Sequence, residues 1–452
     1  MRKITGGFFC ALFLFASLHV NAQENEGPAA DIPLHATAAA LIDAESGRVL
    51  YGKNADRPMA MASTTKIMTC IVVLETVSLE ETLTVSDYAS SMPKVKLYLK
   101  KGEQYTVRDL LYSLMLESHN DSATALAEYV GKEYLPAELK DKPTEQYTAE
   151  ESRQAVDAFA RLMNEKAVEL GCRDTWFITP NGLDATQEFT LQDGTVIQKE
   201  HCTTAAELAR IMAYCIEASP KKEKFLEITR TQNYSFSANG RNFSCSNHNA
   251  FLSMMDGAVS GKTGFTNKAG YCYVGALERD GRTFIVTLLA CGWPNNKTWK
   301  WSDTRKLMQY GIDNFFYKSF SEEDVAFDED LLEPIPVLNG RTHILGETAY
   351  TDIEIVGRRS LENAGMDIVA VGTDQGNREG ILLRSDENIS VDCRLEKVLE
   401  APVQRGREVG VIEYRVDGVV YRREKIVTSD SVEKISFDWC FGEILSRFLD
   451  IF

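Results

Sequence analysis

The chain contains no C-x-x-C pair, no H-E-x-x-H and only 6 histidines in 452 residues. Zinc held by cysteine or histidine has no motif to rest on, and neither a metal nor an organic cofactor is expected. G-x-S-x-G is also missing, and with it the strand–turn–helix serine of a Ser-His-Asp hydrolase. Positive charge is in deficit: 49 Lys and Arg face 66 Asp and Glu, a formal net charge of -17. A broad nucleic-acid surface needs clustered basic residues, so none is expected. The leading apolar run, F-F-C-A-L-F-L-F-A, is too short to span a bilayer comfortably.

That run reads instead as a targeting signal. Arg2 and Lys3 precede it, and V-N-A follows with small residues where a signal peptidase cuts. Residues 1–22 are expected to be a signal peptide cleaved after Ala22, with a retained anchor as the alternative; either way the protein is exported. Cys10 lies inside it, leaving nine of the 10 cysteines. An odd number cannot all pair internally. Cys70, Cys215, Cys272 and Cys291 fall in apolar stretches, where cysteine serves as a small buried residue.

The length allows two or three domains. Residues 36–44 and the following E-S-G-R-V-L-Y predict two strands around a Ser46-Gly47 turn. Helices are predicted over 62–78, 106–130, 151–170 and 203–217, with Gly171 stopping the third and Thr203-Thr204 opening the fourth. Successive strands are predicted across 258–292, then a closing helix over 300–318. Helices between an early hairpin and late antiparallel strands make an α+β domain, not a doubly wound parallel sheet. The acidic stretch 321–333 ends at Pro334 and Pro336 and places a boundary near 330. The expected organisation is a main domain over 30–325, a small all-β domain over 330–428 and an amphipathic helix over 430–452. In that helix Phe441, Ile444, Leu445, Phe448 and Phe452 share one face, with Glu443, Arg447 and Asp450 off it. It either lies on a membrane surface or docks on protein. Acidic residues outnumber basic ones in it, so apolar area must supply any membrane binding.

Ser-x-x-Lys occurs four times, at Ser63/Lys66, Ser91/Lys94, Ser219/Lys222 and Ser431/Lys434. Pro93 sits inside the second, in a strand-like context, so its two side chains need not share a helical face. Ser219-Pro220 resembles a solvated helix start, and Ser431 an N-cap of the terminal helix. Ser63 differs because I-M-T-C-I-V-V-L follows, apolar nearly all round, which predicts a buried helix. Residues three apart lie on one face, so Lys66 Nζ can approach Ser63 Oγ. A buried lysine near a second cation is pushed toward the neutral amine that a general base must be. An N-cap serine with a snorkelling lysine is the bland alternative for this motif alone.

Two further motifs bear on the choice. Ser118-x-Asn120 stands at a break in a helical region; Ser237-Ala238-Asn239 matches equally well. V-S-G-K-T-G-F-T carries the only K-T-G of the chain. On an edge strand Lys262 and Thr263 can offer charge and a hydroxyl to a carboxylate, while Gly264 lets a substrate backbone approach.

Ser-x-x-Lys, Ser-x-Asn and K-T-G, in that order, resemble the three motifs of penicillin-binding proteins and serine β-lactamases. The chain resembles the low-molecular-mass D-alanyl-D-alanine carboxypeptidases of that superfamily (peptidase S11-like) over about 35–428. The match extends to L-I-D-A-E-S-G-R-V-L-Y-G-K-N-A-D, P-N-G-L-D, T-T-A-A-E-L-A-R-I-M, D-G-A-V-S-G-K-T-G-F-T-N-K-A-G-Y-C and A-P-V-Q-R-G-R-E-V-G. The resemblance implies a transpeptidase-like domain of helices on an antiparallel sheet. It implies a penicillin-sensitive acyl-enzyme on Ser63, with Lys66 as base and Ser118, linked to Lys66 and Lys262, relaying the proton. Asn120, Lys262, Thr263, Gly264, Phe265 and Thr266 would bind the substrate, with the amides of Ser63 and Phe265 as oxyanion hole. The implied substrate is a peptidoglycan stem pentapeptide ending in D-Ala-D-Ala, processed during cell-wall maturation at the outer face of the cytoplasmic membrane. β-Lactams would acylate the same serine.

The chain departs from the family in places. His119 stands where many relatives carry glycine or alanine; it either alters the pocket rim or, as expected here, points away. Residues 133–152 and 187–200 resemble insertions and are expected as polar surface loops. Among rivals, a β-lactamase lacks its E-x-x-L-N segment here. An endopeptidase acting on cross-links stays open. A non-catalytic cell-wall binding scaffold also stays open, although it need not keep Lys66 and Lys262.

Overall fold

The computed structural model describes residues 32–190, 195–322, 325, 327, 332–342, 344, 346–356 and 379–449. The expected signal peptide, the heart of the acidic stretch and Phe452 lie outside them.

Chain order runs β1 (Ala38–Asp43), β2 (Val49–Lys53), α1 (Lys66–Thr76), α2 (Val107–Tyr112), α3 (Asn120–Gly131), α4 (Ala149–Glu169), β3 (Thr186–Thr190), β4 (Val196–Glu200) and α5 (Ala205–Ala213). Then come β5 (Ala258–Thr266), β6 (Gly270–Arg279), β7 (Arg282–Leu289) and α6 (Trp299–Asn314). The C-terminal part adds β8 (Phe316–Ser319), β9 (Ile353–Val356), β10 (Gly380–Leu383), β11 (Ser390–Leu395), β12 (Glu408–Val416), β13 (Val419–Thr428) and α7 (Phe437–Leu449).

The main sheet is antiparallel in the order β2-β1-β7-β6-β5. All six residues of β1 are buried because both faces of the sheet are covered. The period of two divides them: Ala38, Ala40 and Ile42 join one core with α1, α3 and α5, while Ala39 and Leu41 join a second core with α6. β7 splits the same way, with Ile285 and Leu289 in the first core and Phe284, Val286 and Leu288 in the second. β5 is the edge strand, so the K-T-G residues have one open side.

Several expectations need correction. The closing helix α6 ends at Asn314, and the chain turns into β8, which pairs with β10 from the C-terminal part. Within 187–200, expected as a loop, residues 187–190 and 196–200 belong to the antiparallel β3–β4 pair, because Thr186 to Thr190 and Val196 to Glu200 pair residue for residue. The terminal helix begins at Phe437, capped by Ser436 accepting from the Trp439 amide; Ser431 instead accepts from the Arg405 amide. Ser219 is buried and donates to Glu75 at 2.6 Å, so it is no solvated helix start. Ser91 follows a short helix, Asp87–Ser90, not a strand.

The C-terminal part has its own core, including Val337, Ile355, Val403, Ile412, Tyr414 and Ile426, and a four-stranded antiparallel sheet ordered β9-β13-β12-β11. Arg48, from the β1–β2 hairpin, holds it: its guanidinium reaches Glu387 at 2.6 and 2.9 Å and the Leu382 carbonyl at 2.7 Å. Among the described residues no helix is long and apolar enough to cross a membrane. All nine described cysteines are free, six of them buried.

Candidate active site

Ser63 sits in a single 3-10 turn, Ala62–Thr65, that runs straight into α1. Ala62 has φ +50°, left-handed backbone that costs a residue with a Cβ about 1–2 kcal/mol. Thr64 and Thr65 brace the turn by donating to the carbonyls of Met61 and Ala62 at 2.6 and 2.8 Å. The strain is held against the sheet by two glycines. A Cβ on Gly264 of β5 would come within 2.9 Å of the Ser63 amide nitrogen. One on Gly182, at φ +83°, would come within 2.0 Å of the Ala62 carbonyl oxygen.

Lys66 is fully buried on the first turn of α1. Its Nζ lies 2.8 Å from Ser63 Oγ, 2.9 Å from Asn120 Oδ1 and 2.5 Å from the Asn181 carbonyl oxygen. Burial holds its pKa well below the usual lysine range, Lys262 adds to the depression, and Asp121 opposes it. A neutral amine has two protons and one lone pair. Asn120 Oδ1 and the Asn181 carbonyl can only accept, so they take the two protons. In that neutral form the lone pair would be left for Ser63, whose hydroxyl could donate to it; with Lys66 charged, Nζ donates to Ser63 Oγ instead. The arrangement is a hydroxyl hydrogen-bonded to a buried amine that could serve as its base.

Asn120 opens α3. Its Nδ2 donates to the carbonyls of Pro93 and Lys94, both at 3.2 Å, which orients Oδ1 toward Lys66. Asp121 accepts from the amides of Leu97 and Leu99, fixing the same 93–99 segment along the rim. Ser118 occupies the predicted break with φ +65°, after a π-helical turn over Ser113–Glu117. Lys262 Nζ donates to Ser118 Oγ at 2.9 Å and to the Thr263 carbonyl at 3.0 Å. The expected Ser118–Lys66 link is not among these bonds, because the Asn181 carbonyl takes that place around Lys66. Burial lowers the Lys262 pKa to about 7.

On the open edge Phe265 is 37 % exposed and packs on Tyr271. Thr266 points its hydroxyl at Asp184 Oδ1, 3.2 Å away, and accepts from the Ala269 amide. His119 turns away from the pocket, its Nδ1 2.8 Å from Ser113 Oγ. The decoy Ser237-Ala238-Asn239 lies at the tip of the hairpin over Asn233–Ser246.

Sequence reasoning missed two participants. The Asn181 backbone carbonyl serves Lys66 directly, and no side-chain motif announces a carbonyl. His201 is buried between Thr65 and the amides of Ile178 and Thr179. The P-N-G turn at 180–182, with its glycine, was the available signal.

Residues 22–134 and 148–291 match the D-alanyl-D-alanine carboxypeptidase family of S11 peptidases, and 354–434 match the C-terminal domain of penicillin-binding protein 5. The gap in the first match falls within the stretch expected to be an insertion. D-alanyl-D-alanine carboxypeptidase DacF of Bacillus subtilis is 22% identical over 92% of this chain and 90% of its own. DacC of Escherichia coli is 26% identical over 96% of this chain and 92% of its own. The structure of penicillin binding protein 5 from Haemophilus influenzae, 20% identical, covers 90% of this chain and all of its own with a TM-score of 0.63, which shows the shared fold.

Proposed function

Because the chain belongs to the D-alanyl-D-alanine carboxypeptidase family, we propose that Ser63 attacks the carbonyl of the penultimate D-alanine in a peptidoglycan stem pentapeptide. The observation that carries this reading is the fully buried Lys66 amine, its pKa held well below the usual lysine range by burial, 2.8 Å from Ser63 Oγ. Lys66 takes the serine proton as the Oγ–C bond forms. The peptide C–N bond then breaks, and the proton that Lys66 took from Ser63 passes to the departing D-alanine amine, with Ser118, held by Lys262, as the relay. The amides of Ser63 and Phe265 face the developing oxyanion, where a single donor is worth about 3 kcal/mol. Lys262 and Thr263 take the terminal carboxylate, Asn120 orients the acyl-side amide, and Gly264 and Thr266 shape the strand edge beside them. Water hydrolyses the acyl-enzyme. β-Lactams mimic the substrate and stop at the acylated serine.

The enzyme acts in the cell-wall space on this reading, during wall maturation. We infer that α7 keeps it at the outer face of the cytoplasmic membrane. Phe437, Phe441, Ile444, Leu445 and Phe448 are all exposed, which supports a surface-lying helix over one docked on protein.

The test is to incubate the purified protein and Ser63→Ala with a fluorescent penicillin and to measure D-alanine released from a pentapeptide. Labelling and release by the parent, both lost in the variant, are expected. Labelling without release would favour the scaffold reading, and release only from cross-linked dimers would favour the endopeptidase.

A further inference from the structure

Strand β3 of the β3–β4 hairpin, through Gln187 and Phe189, builds one wall of a groove of about 610 Å³. α4 supplies the opposite wall through Asp157, Arg161 and Glu165. Trp176 and Phe189, edge to face with centroids 5.7 Å apart, form an apolar floor, and Gln187 accepts from Trp176 Nε1 at 3.4 Å. Lys199 caps the Trp176 ring with its ammonium 3.9 Å from the centroid. Pockets of about 300–1,000 Å³ suit small organic ligands, and an apolar floor with a few polar groups fixes their orientation.

The lining selects the chemistry. A ligand with apolar ring faces and hydroxyl and amide groups around its edge can lie on the aromatic floor and hydrogen-bond to the carboxylates, the guanidinium and the carboxamide. An acetamido-sugar has that form. A wholly apolar peptide would desolvate three charged side chains without pairing them.

Position selects the same ligand. Trp176 lies five residues before Asn181, so the groove begins within about 18 Å of the site. The far end of β5 is tied to the hairpin base by Thr266 with Asp184 at 3.2 Å and Lys268 with Glu200 at 2.8 Å. A stem peptide with its carboxylate on Lys262 runs along β5 toward that base, and its first four residues span about 14 Å when extended. We propose that the groove between α4 and the β3–β4 hairpin binds the aminosugar chain that carries the stem peptide. The inference rests on the function proposed above and adds a glycan subsite to it.

Calorimetric titration of the full chain with a peptide-free β-1,4-linked N-acetylglucosamine tetramer tests it. Binding by the parent, weakened about tenfold or more in both Phe189→Ala and Glu165→Ala, is the expected result. Both residues lie outside the cores, and circular dichroism checks that each variant is folded. No binding by the parent, or equal binding by both variants, overturns the subsite whatever the D-alanine assay shows. A groove built for an apolar peptide or a second copy of the chain gives that overturning result. The same variants should reduce the ratio of kcat/KM on a disaccharide-linked pentapeptide to that on the free pentapeptide. Failure to release D-alanine from either substrate would strike the activity reading and leave the titration to decide the subsite.

Discussion

His201 Nε2 lies 2.8 Å from Thr65 Oγ1, while Nδ1 faces the amides of Ile178 and Thr179 at 3.0 and 3.4 Å. One ring therefore ties the turn carrying Ser63 to the segment that delivers the Asn181 carbonyl to Lys66. Burial lowers its pKa to about 3, so the ring is neutral, with Nε2–H donating and Nδ1 accepting. His201→Ala frees both ends, and a misplacement of about 1 Å can cost about 10²-fold in rate. The expected outcome is that loss in kcat and in penicillin acylation, with KM little changed. Stopped-flow acylation of the folded variant at the parental rate would refute the positioning role.

Lys262 gives a pH signature. Burial lowers its pKa to about 7, so the free enzyme carries a charged Lys262 below that pH and a neutral one above it. Only the charged form attracts a carboxylate. kcat/KM for a peptide with a free C-terminus should fall about tenfold per pH unit above neutrality. kcat should fall less, because a bound carboxylate favours the charged lysine. Lys262→Arg keeps its charge throughout and should remove the falling limb even if its overall rate is lower. A parental profile flat to pH 9 would contradict this.

The sheet and helices were legible because their signals are local. The short apolar runs of β1 and β7, the longer apolar run of α1, Thr204 before α5 and Gly171 after α4 each state an element in a few residues. Ser63, Lys66, Asn120 and Lys262 were legible because chemistry restricts those side chains to particular spacings. What escaped depends on long-range contact. Asn181 acts through a backbone atom shared by every residue type, and His201 gains meaning only beside Thr65, 136 positions away. The β3–β4 hairpin escaped because its strands are polar and mostly exposed, so composition resembles a loop while cross-strand hydrogen bonds decide the structure.

Glu128 makes stability depend on pH. It is fully buried on α3, and Ser86 Oγ lies 2.8 and 2.7 Å from its two carboxyl oxygens. Burial raises its pKa to about 7 against the opposing influence of the Ser152 and Ser86 hydroxyls, of which Ser86 makes the hydrogen bonds. The folded state thus holds a proton that the unfolded state releases near pH 4.5. The stabilisation this gives is complete at low pH and is lost as pH rises through about 7, about 3 kcal/mol in all. Buried lysines and His201 titrate with the opposite sign, so the readout is a difference. Stability of the parent minus that of Glu128→Gln, from denaturant midpoints, should fall between pH 5 and 8. A constant difference would show that Glu128 stays ionised.

The terminal helix would bind a membrane in an unusual way. On α7 Phe441, Ile444, Leu445 and Phe448 form one exposed apolar face, and Phe437 stacks on Phe441 with centroids 6.2 Å apart. Burying such side chains is worth about 1.5–3 kcal/mol each, so this face can supply a useful membrane affinity on its own. Charge does not help, since Asp438 and Glu443 outweigh Arg447. Binding should therefore be similar on neutral and anionic vesicles and barely weaken in high salt, where a basic helix would dissociate. Phe441→Asp with Phe448→Asp should abolish vesicle flotation while leaving penicillin acylation intact, since α7 lies outside both cores of the catalytic part. Flotation that needs anionic lipid, or that survives the double substitution, would place the contact elsewhere on the molecule.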